Sequence, residues 1–261
     1  VPATAKRSPP ERGYVLHSYP YKETSLIVDV FTVDHGRMVM VAKGAKRPGS
    51  ALRGALLSLQ PLEVIWSGRG EVRTLVQAQW RPGQSWLTGR ALMCGMYLNE
   101  LLIKLLPRED PHPKLFEAYA AALLTLGELP EGSDQSAVLR EFEVTLLAEL
   151  GYGLELSVDV TTGEGLHGDR MYRYDMLRGP SEHGPGEPVS GAALLALASG
   201  RFDSPRVANE AREFVRRIIA AHLERRALRS TDVVADLRAL TQRLDGQSPR
   251  RQATADSASA S

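Results

Sequence analysis

Leu26-Ile27-Val28-Asp29-Val30-Phe31-Thr32-Val33-Asp34-His35-Gly36-Arg37-Met38-Val39-Met40-Val41-Ala42-Lys43-Gly44-Ala45-Lys46-Arg47 is the run on which the fold turns. Two apolar, β-branched blocks meet at Asp34-His35-Gly36, whose residue types suit a tight turn. The second block runs straight into a basic loop containing glycine. Moving outward, further runs at 14–19, 59–67 and 72–80 join those at 26–33 and 37–43, and Ser67-Gly68-Arg69-Gly70 supplies a second turn. Five short strands in one segment predict a small antiparallel β domain, and both an OB-type barrel and an SH3-like barrel suit that pattern.

After Trp80-Arg81-Pro82-Gly83 the period lengthens to that of a helix: Leu92, Met96, Leu98, Leu101, Leu102 and Leu105 recur until Pro107. A second helix is expected over 113–126, ended by Gly127. A third is expected over 136–150, with Val138, Leu139, Phe142, Leu146 and Leu150 inward and Gly151 beyond its end. Residues 152–188 are rich in Gly and Pro and read as a loop-rich insert with short strands near 171–177. Ser190 caps a short helix, Ser204-Pro205 opens a long one to about residue 226, and Ser230-Thr231-Asp232 starts a last helix to about residue 244. The small, polar tail 246–261 reads as disordered. The expected organisation is therefore α+β: a small barrel over 11–82, of OB or SH3-like type, a helical domain over 83–245 with an irregular insert over 152–189, and the tail.

Composition excludes several classes. With 43% hydrophobic and 24% charged residues the chain is an ordinary globular protein. No long apolar run or signal core is present, so a cytoplasmic location and no membrane partner are expected. The single cysteine, Cys94, permits no internal disulfide and no cysteine-built zinc site, and its apolar surroundings predict a buried structural thiol. His17, His35, His112, His167 and His183 fall at no recognisable ligand spacing; His167, Asp169 and His183 form the nearest approach to a metal set, and no metal or cofactor is expected. No serine-hydrolase, zinc-protease or dinucleotide motif occurs.

Local charge carries more than the net value of +1. Between Asp34 and Glu63 there is no carboxylate, yet Arg37, Lys43, Lys46, Arg47 and Arg53 occur there. The loop Gly44-Ala45-Lys46-Arg47-Pro48-Gly49-Ser50 begins like a nucleotide-binding P-loop but lacks the lysine that would reach the outer phosphates. Contact with a polynucleotide backbone suits it better, with Arg69 in the other turn as a further candidate. Tyr19 and Tyr21, flanking Pro20 in what reads as a connecting loop, are the candidates for base stacking, whereas Phe31 and Trp66 follow the inward alternation of packing residues. A second basic stretch, from Arg201 to Arg229, sets eight arginines against Asp203, Glu210, Glu213 and Glu224. Its candidates for DNA or an acidic peptide are Arg212, Arg216, Arg217, Arg225 and Arg226. Helical spacing also allows ordinary pairing of Glu213 with Arg217.

The order of these features resembles the RecO family from about Gly13 to Ser230. The matching segments are Gly13-Tyr14-Val15-Leu16, Glu23, Phe31-Thr32, Gly36-Arg37, Ala42-Lys43-Gly44-Ala45-Lys46-Arg47, Leu150-Gly151-Tyr152-Gly153, Tyr172-Arg173-Tyr174, Val189-Ser190 and Leu228-Arg229-Ser230. Some members carry a zinc site that opens with Cys-x-x-Cys-Gly, where this chain has Asp159-Val160-Thr161-Thr162-Gly163. The insert thus takes the position of a zinc ribbon without its ligands, and packing alone is expected to hold it. The resemblance implies an OB fold for the barrel over 11–82 and a non-catalytic DNA repair and recombination mediator. It implies binding of single- and double-stranded DNA, annealing of complementary strands, and cooperation with RecR and with the C-terminal tail of single-strand DNA-binding protein. One rival is an adaptor that binds only repair proteins; the other, a nuclease, would need clustered carboxylates for metal ions.

Overall fold

The computed structural model describes residues 6–230, of which 224–230 are described by backbone alone. The helix expected beyond Ser230, the tail 246–261 and the side chains of Arg225 and Arg226 lie outside the described residues. The chain to Ile219 forms one compact unit, and the stretch from Ala220 belongs to another.

Strands β1 (Glu11–Tyr21), β2 (Ser25–Thr32), β3 (Gly36–Ala42), β4 (Pro61–Ser67) and β5 (Val72–Trp80) close into a barrel in the order β1-β2-β3-β5-β4. A short helix, α1 (Ala51–Ala55), lies between β3 and β4 in sequence, and β3 and β5 run parallel while the other pairs are antiparallel. That crossed closure is the OB arrangement and resolves the choice against an SH3-like barrel. Alternate residues fill the interior, among them Val15, Val28, Val30, Met38, Met40, Leu62, Val64, Trp66 and Leu75.

The opposite face of β2 and β3 is buried too, which is why these two strands read as nearly unbroken apolar runs. Helices α2 (Gly89–Leu105) and α3 (Pro113–Glu128) supply the cover. Phe31 is a packing residue, as its residue type suggests, but it points away from the barrel interior: its ring lies 5.3 Å from Phe116 and 6.2 Å from Tyr119 of α3. Tyr14 meets Tyr119 edge-on at 5.0 Å. Burial in this seam pushes the Tyr14 hydroxyl up to about 12. The Asn99 amide of α2 donates to the Leu16 carbonyl at 2.9 Å and its oxygen accepts from the Tyr119 hydroxyl, so polar groups inside the seam are paired.

Four expectations about the helices need correction. Gly127 does not end α3 but sits within its last turn, where a Cβ would touch Ser85 and Leu87 at 3.4 Å. Of the six residues at helical spacing in α2, Leu98, Leu101, Leu102 and Leu105 are buried, whereas Leu92 and Met96 are exposed. Cys94 is half-buried, its Sγ donating to Gln135 Oε1 at 3.0 Å; burial raises its pKa and outweighs the opposing field of Arg90. In α4 (Ser136–Glu149) Phe142 and Leu146 point inward as expected, while Val138, Leu139 and Leu150 are only half-buried. Here the buried polar pair is Arg140 and Glu143, joined side to side, with Tyr97 donating to Glu143 at 2.6 Å.

The insert forms a three-stranded sheet, β7 (Gly179–Ser181), β6 (Met171–Asp175) and β8 (Glu187–Ser190), followed by α5 (Gly191–Ser199) and α6 (Pro205–Ser230). Both expected serine caps form: Ser190 Oγ accepts from the Ala193 amide, and Ser204 Oγ from the Val207 amide at 3.3 Å. Packing does hold this region, with Tyr174 edge-on to Phe214 of α6 at 4.8 Å, but packing is not alone. The buried Asp159 carboxylate accepts from the amides of Thr161 (2.8 Å), Thr162 (3.2 Å) and Glu182 (2.9 Å). It gathers the backbone at the place where the resemblance puts the first zinc thiolate. Burial opposes ionisation of Asp159, but the three amides outweigh it and hold the carboxyl below its ordinary range.

Candidate nucleic-acid interface

The end of the barrel that carries the basic loop is set by register. Strand β3 leaves the sheet after Ala42, which lies opposite Leu75, and β5 continues in the same direction to Trp80. The loop after β3 and the last residues of β5 therefore occupy the same end. Lys43, Lys46 and Arg47 are exposed in that loop, and Arg53 is exposed on α1, which packs against β5. Gly44 and Gly49 adopt φ of 70° and 76°, conformations that favour glycine, and the Arg47 stem folds back over Gly44. The loop is tied to the β1–β2 hairpin, as the Lys46 amide donates to the Thr24 carbonyl at 2.8 Å and the Gly44 amide to Ser25 Oγ at 3.4 Å.

That tie brings Tyr21 to the same end, with the Lys22 ammonium 5.2 Å from its ring centre. Neither tyrosine lies in a loop as expected, because β1 runs through Pro20 as far as Tyr21. Tyr19 takes a different place: it is half-buried and packs against His17 with ring centres 4.3 Å apart. Burial raises its pKa, and the Asp29 charge adds to the rise.

Two of the expected contact residues are elsewhere. Arg37 is only 4% exposed and all three nitrogens of its guanidinium are hydrogen-bonded. It forks onto Asp29 (Nε at 3.0 Å, Nη2 at 2.9 Å) and donates through Nη1 to the carbonyls of Ile103 (2.5 Å) and Leu106 (3.0 Å) at the end of α2. A buried arginine so occupied cannot touch a phosphate; it clamps the barrel to the helical body. Beside it, a Cβ on Gly36 would stand 2.1 Å from the Asp110 carbonyl oxygen, so the turn admits only glycine where the chain after α2 docks. Arg69 is exposed, but its turn precedes β5 and lies at the opposite end of the barrel, beyond the His35–Trp66 ring contact at 5.1 Å.

The second basic group stands on α6. Ala211, Phe214, Val215, Ile218 and Ile219 form its buried stripe, which leaves Arg212, Arg216 and Arg217 exposed. Arg212 approaches Glu213 at 3.5 Å, whereas the expected Glu213–Arg217 pair is not among the ion pairs of the described residues. Glu210 does not offset these charges at the surface, because its carboxylate accepts from the amide and hydroxyl of Ser190 at 2.7 and 2.8 Å.

Residues that the basic pattern did not single out also reach this barrel end. Trp80 and Trp86 are 48% and 54% exposed, with ring centres 5.8 Å apart. Their signal in the sequence was the placement of two large aromatics at and beyond a strand end, among Pro and Gly, where a small barrel cannot bury them. Among the described residues no group of three or more His, Cys, Asp or Glu could hold a metal ion, and no helix is long and apolar enough to cross a membrane.

Fold and surface together define an OB-barrel protein joined to a helical body, with a cationic barrel end. The family models described as Recombination protein O N terminal and Recombination protein O C terminal match residues 10–82 and 87–232. A DNA repair protein RecO from Azoarcus sp. (strain BH72) is 49% identical over 242 residues, covering 90% of this chain and 98% of that protein. The RecO of Aromatoleum aromaticum is 48% identical over 234 residues, covering 87% of this chain and 95% of its own length. The RecO of Dechloromonas aromatica is 47% identical over 232 residues, covering 87% and 96%. The chain belongs to the RecO family of DNA repair proteins.

Proposed function

We propose that this protein binds single- and double-stranded DNA through the cationic barrel end and promotes annealing of complementary strands without catalysing a chemical step. The observation that carries this reading is the grouping of Lys43, Lys46, Arg47 and Arg53 at one end of the barrel, in a stretch of chain with no carboxylate between Asp34 and Glu63. Cations held there neutralise phosphates on two strands and lower their mutual repulsion, so that base pairing supplies the free energy and no nucleotide cofactor is needed. RecR is the proposed partner in recombination. The acidic, apolar C-terminal tail of single-strand DNA-binding protein is the proposed peptide ligand, its carboxylates pairing with the arginines of α6. A cytoplasmic, nucleoid-associated location goes with this reading.

Titration of labelled single-stranded DNA at several salt concentrations tests it. Affinity should fall linearly with salt on logarithmic axes, with a slope of about −0.7 for each phosphate contacted. Absence of binding at low salt would favour an adaptor that touches only other repair proteins.

A further inference from the structure

The two exposed tryptophans are not accounted for by the phosphate-binding reading. Trp80 and Trp86 present neighbouring indole faces, tilted by 35° with ring centres 5.8 Å apart, while the remaining tryptophan, Trp66, is only 5% exposed in the barrel core. Trp80 is held in place by its Nε1, which donates to Gln60 Oε1 at 3.2 Å. Adjacent exposed apolar faces mark an interaction site more often than scattered single side chains do.

Charge decides what kind of ligand. From Val72 to Asn99 the chain carries Arg73, Arg81 and Arg90 and no carboxylate. Arg73 is spent on Glu109 at 3.1 Å, but Arg81 and Arg90 are exposed. Arg90 and Trp86 line one cleft, which also contains Glu131 as its one carboxylate. The pair also lies at the barrel end that carries the basic loop. From Lys43, Lys46 and Arg47 the chain passes through Arg53 on α1 to Gln60, which touches Trp80. Cations and planar, exposed aromatic faces at one barrel end suit a ligand with phosphates along one side and flat rings along the other.

We infer that Trp80 and Trp86 form a stacking platform for unpaired nucleobases of a single strand whose phosphates lie on the loop of Lys43, Lys46 and Arg47. This rests on the proposed DNA binding and adds the base-reading half of the site. Stacking on indole is tolerant of base identity, and it holds bases apart from their neighbours. A duplex keeps its bases stacked on one another, so the platform discriminates in favour of single strands.

The test uses the full-length protein and three oligonucleotides of equal length: oligothymidylate, an abasic oligonucleotide and a duplex. Oligothymidylate should quench tryptophan emission, and the abasic strand and the duplex should bind without that quench. The double variant W80A/W86A should lose the quench and bind oligothymidylate about tenfold or more weaker, while its affinity for the abasic strand stays unchanged. Single replacement of the more exposed residue, W86A, should give part of both effects and guards against a folding defect in the double variant. Binding of oligothymidylate with no quench and no loss in either variant would overturn the platform, leave the phosphate reading intact, and mark the pair as a protein contact. No binding of any oligonucleotide by the unaltered protein would instead remove the DNA reading itself, and the platform with it.

Discussion

Two basic side chains six residues apart, Arg37 and Lys43, read alike in sequence and have opposite fates. Lys43 follows the last residue of β3 and is exposed; Arg37 stands on the covered face of β3, where its guanidinium binds Asp29 and two helix-end carbonyls. Arg37→Ala should therefore act on stability rather than on DNA. It leaves the Asp29 charge buried without a partner, which costs about 3–5 kcal/mol and is measurable by urea unfolding. Arg37→Lys should be intermediate, because an ammonium cannot fork onto a carboxylate while reaching two carbonyls. If the Ala variant were as stable as the parent, yet bound DNA less well, the buried clamp would be the wrong account.

At the scale of elements, the insert is the informative case. Its strands were legible only as a vague β tendency near residues 171–177, since Gly and Pro hide periodicity, and Asp159 could be seen only as a missing thiolate. The structure gives that residue a task of its own, as acceptor for the amides of Thr161, Thr162 and Glu182. Its carboxyl is held below the ordinary value of 3.8, so the stability it contributes is present above about pH 4 and is lost as pH falls through the lower native value. Amide exchange at those three positions should stay protected down to about pH 4 and open below it. In Asp159→Asn the protection should be weaker and no longer change across that range. A carboxyl midpoint at or above the ordinary value, read by NMR, would contradict the arrangement. The helix boundaries carried by Ser190 and Ser204 were legible because a cap acts within a few residues of itself. Gly127 was misleading for the opposite reason: it sits inside the last turn of α3 beside Ser85 and Leu87, which are distant in sequence.

For the whole molecule, the cationic end is a product of register. Lys43, Lys46 and Arg47 arrive together because one short loop holds them, and Arg53 and Tyr21 join through α1 and the β1–β2 hairpin. Replacing Lys43, Lys46 and Arg47 together by Ala should weaken binding to all sequences alike and flatten the salt slope by up to about two units. An unchanged slope would take the loop out of the interface. Alternating apolar residues, two glycine turns, serine caps and a carboxylate-free basic loop are properties of neighbouring residues, so the sequence by itself determined a five-stranded barrel followed by helices and the place of its basic loop. Which face of β3 is covered, that Arg69 stands at the far end while Trp80 stands at the near one, and that two indoles remain in water depend on closure of the barrel and on the helices laid against it. Those are distances between residues far apart in the chain, and only the tertiary structure decided them.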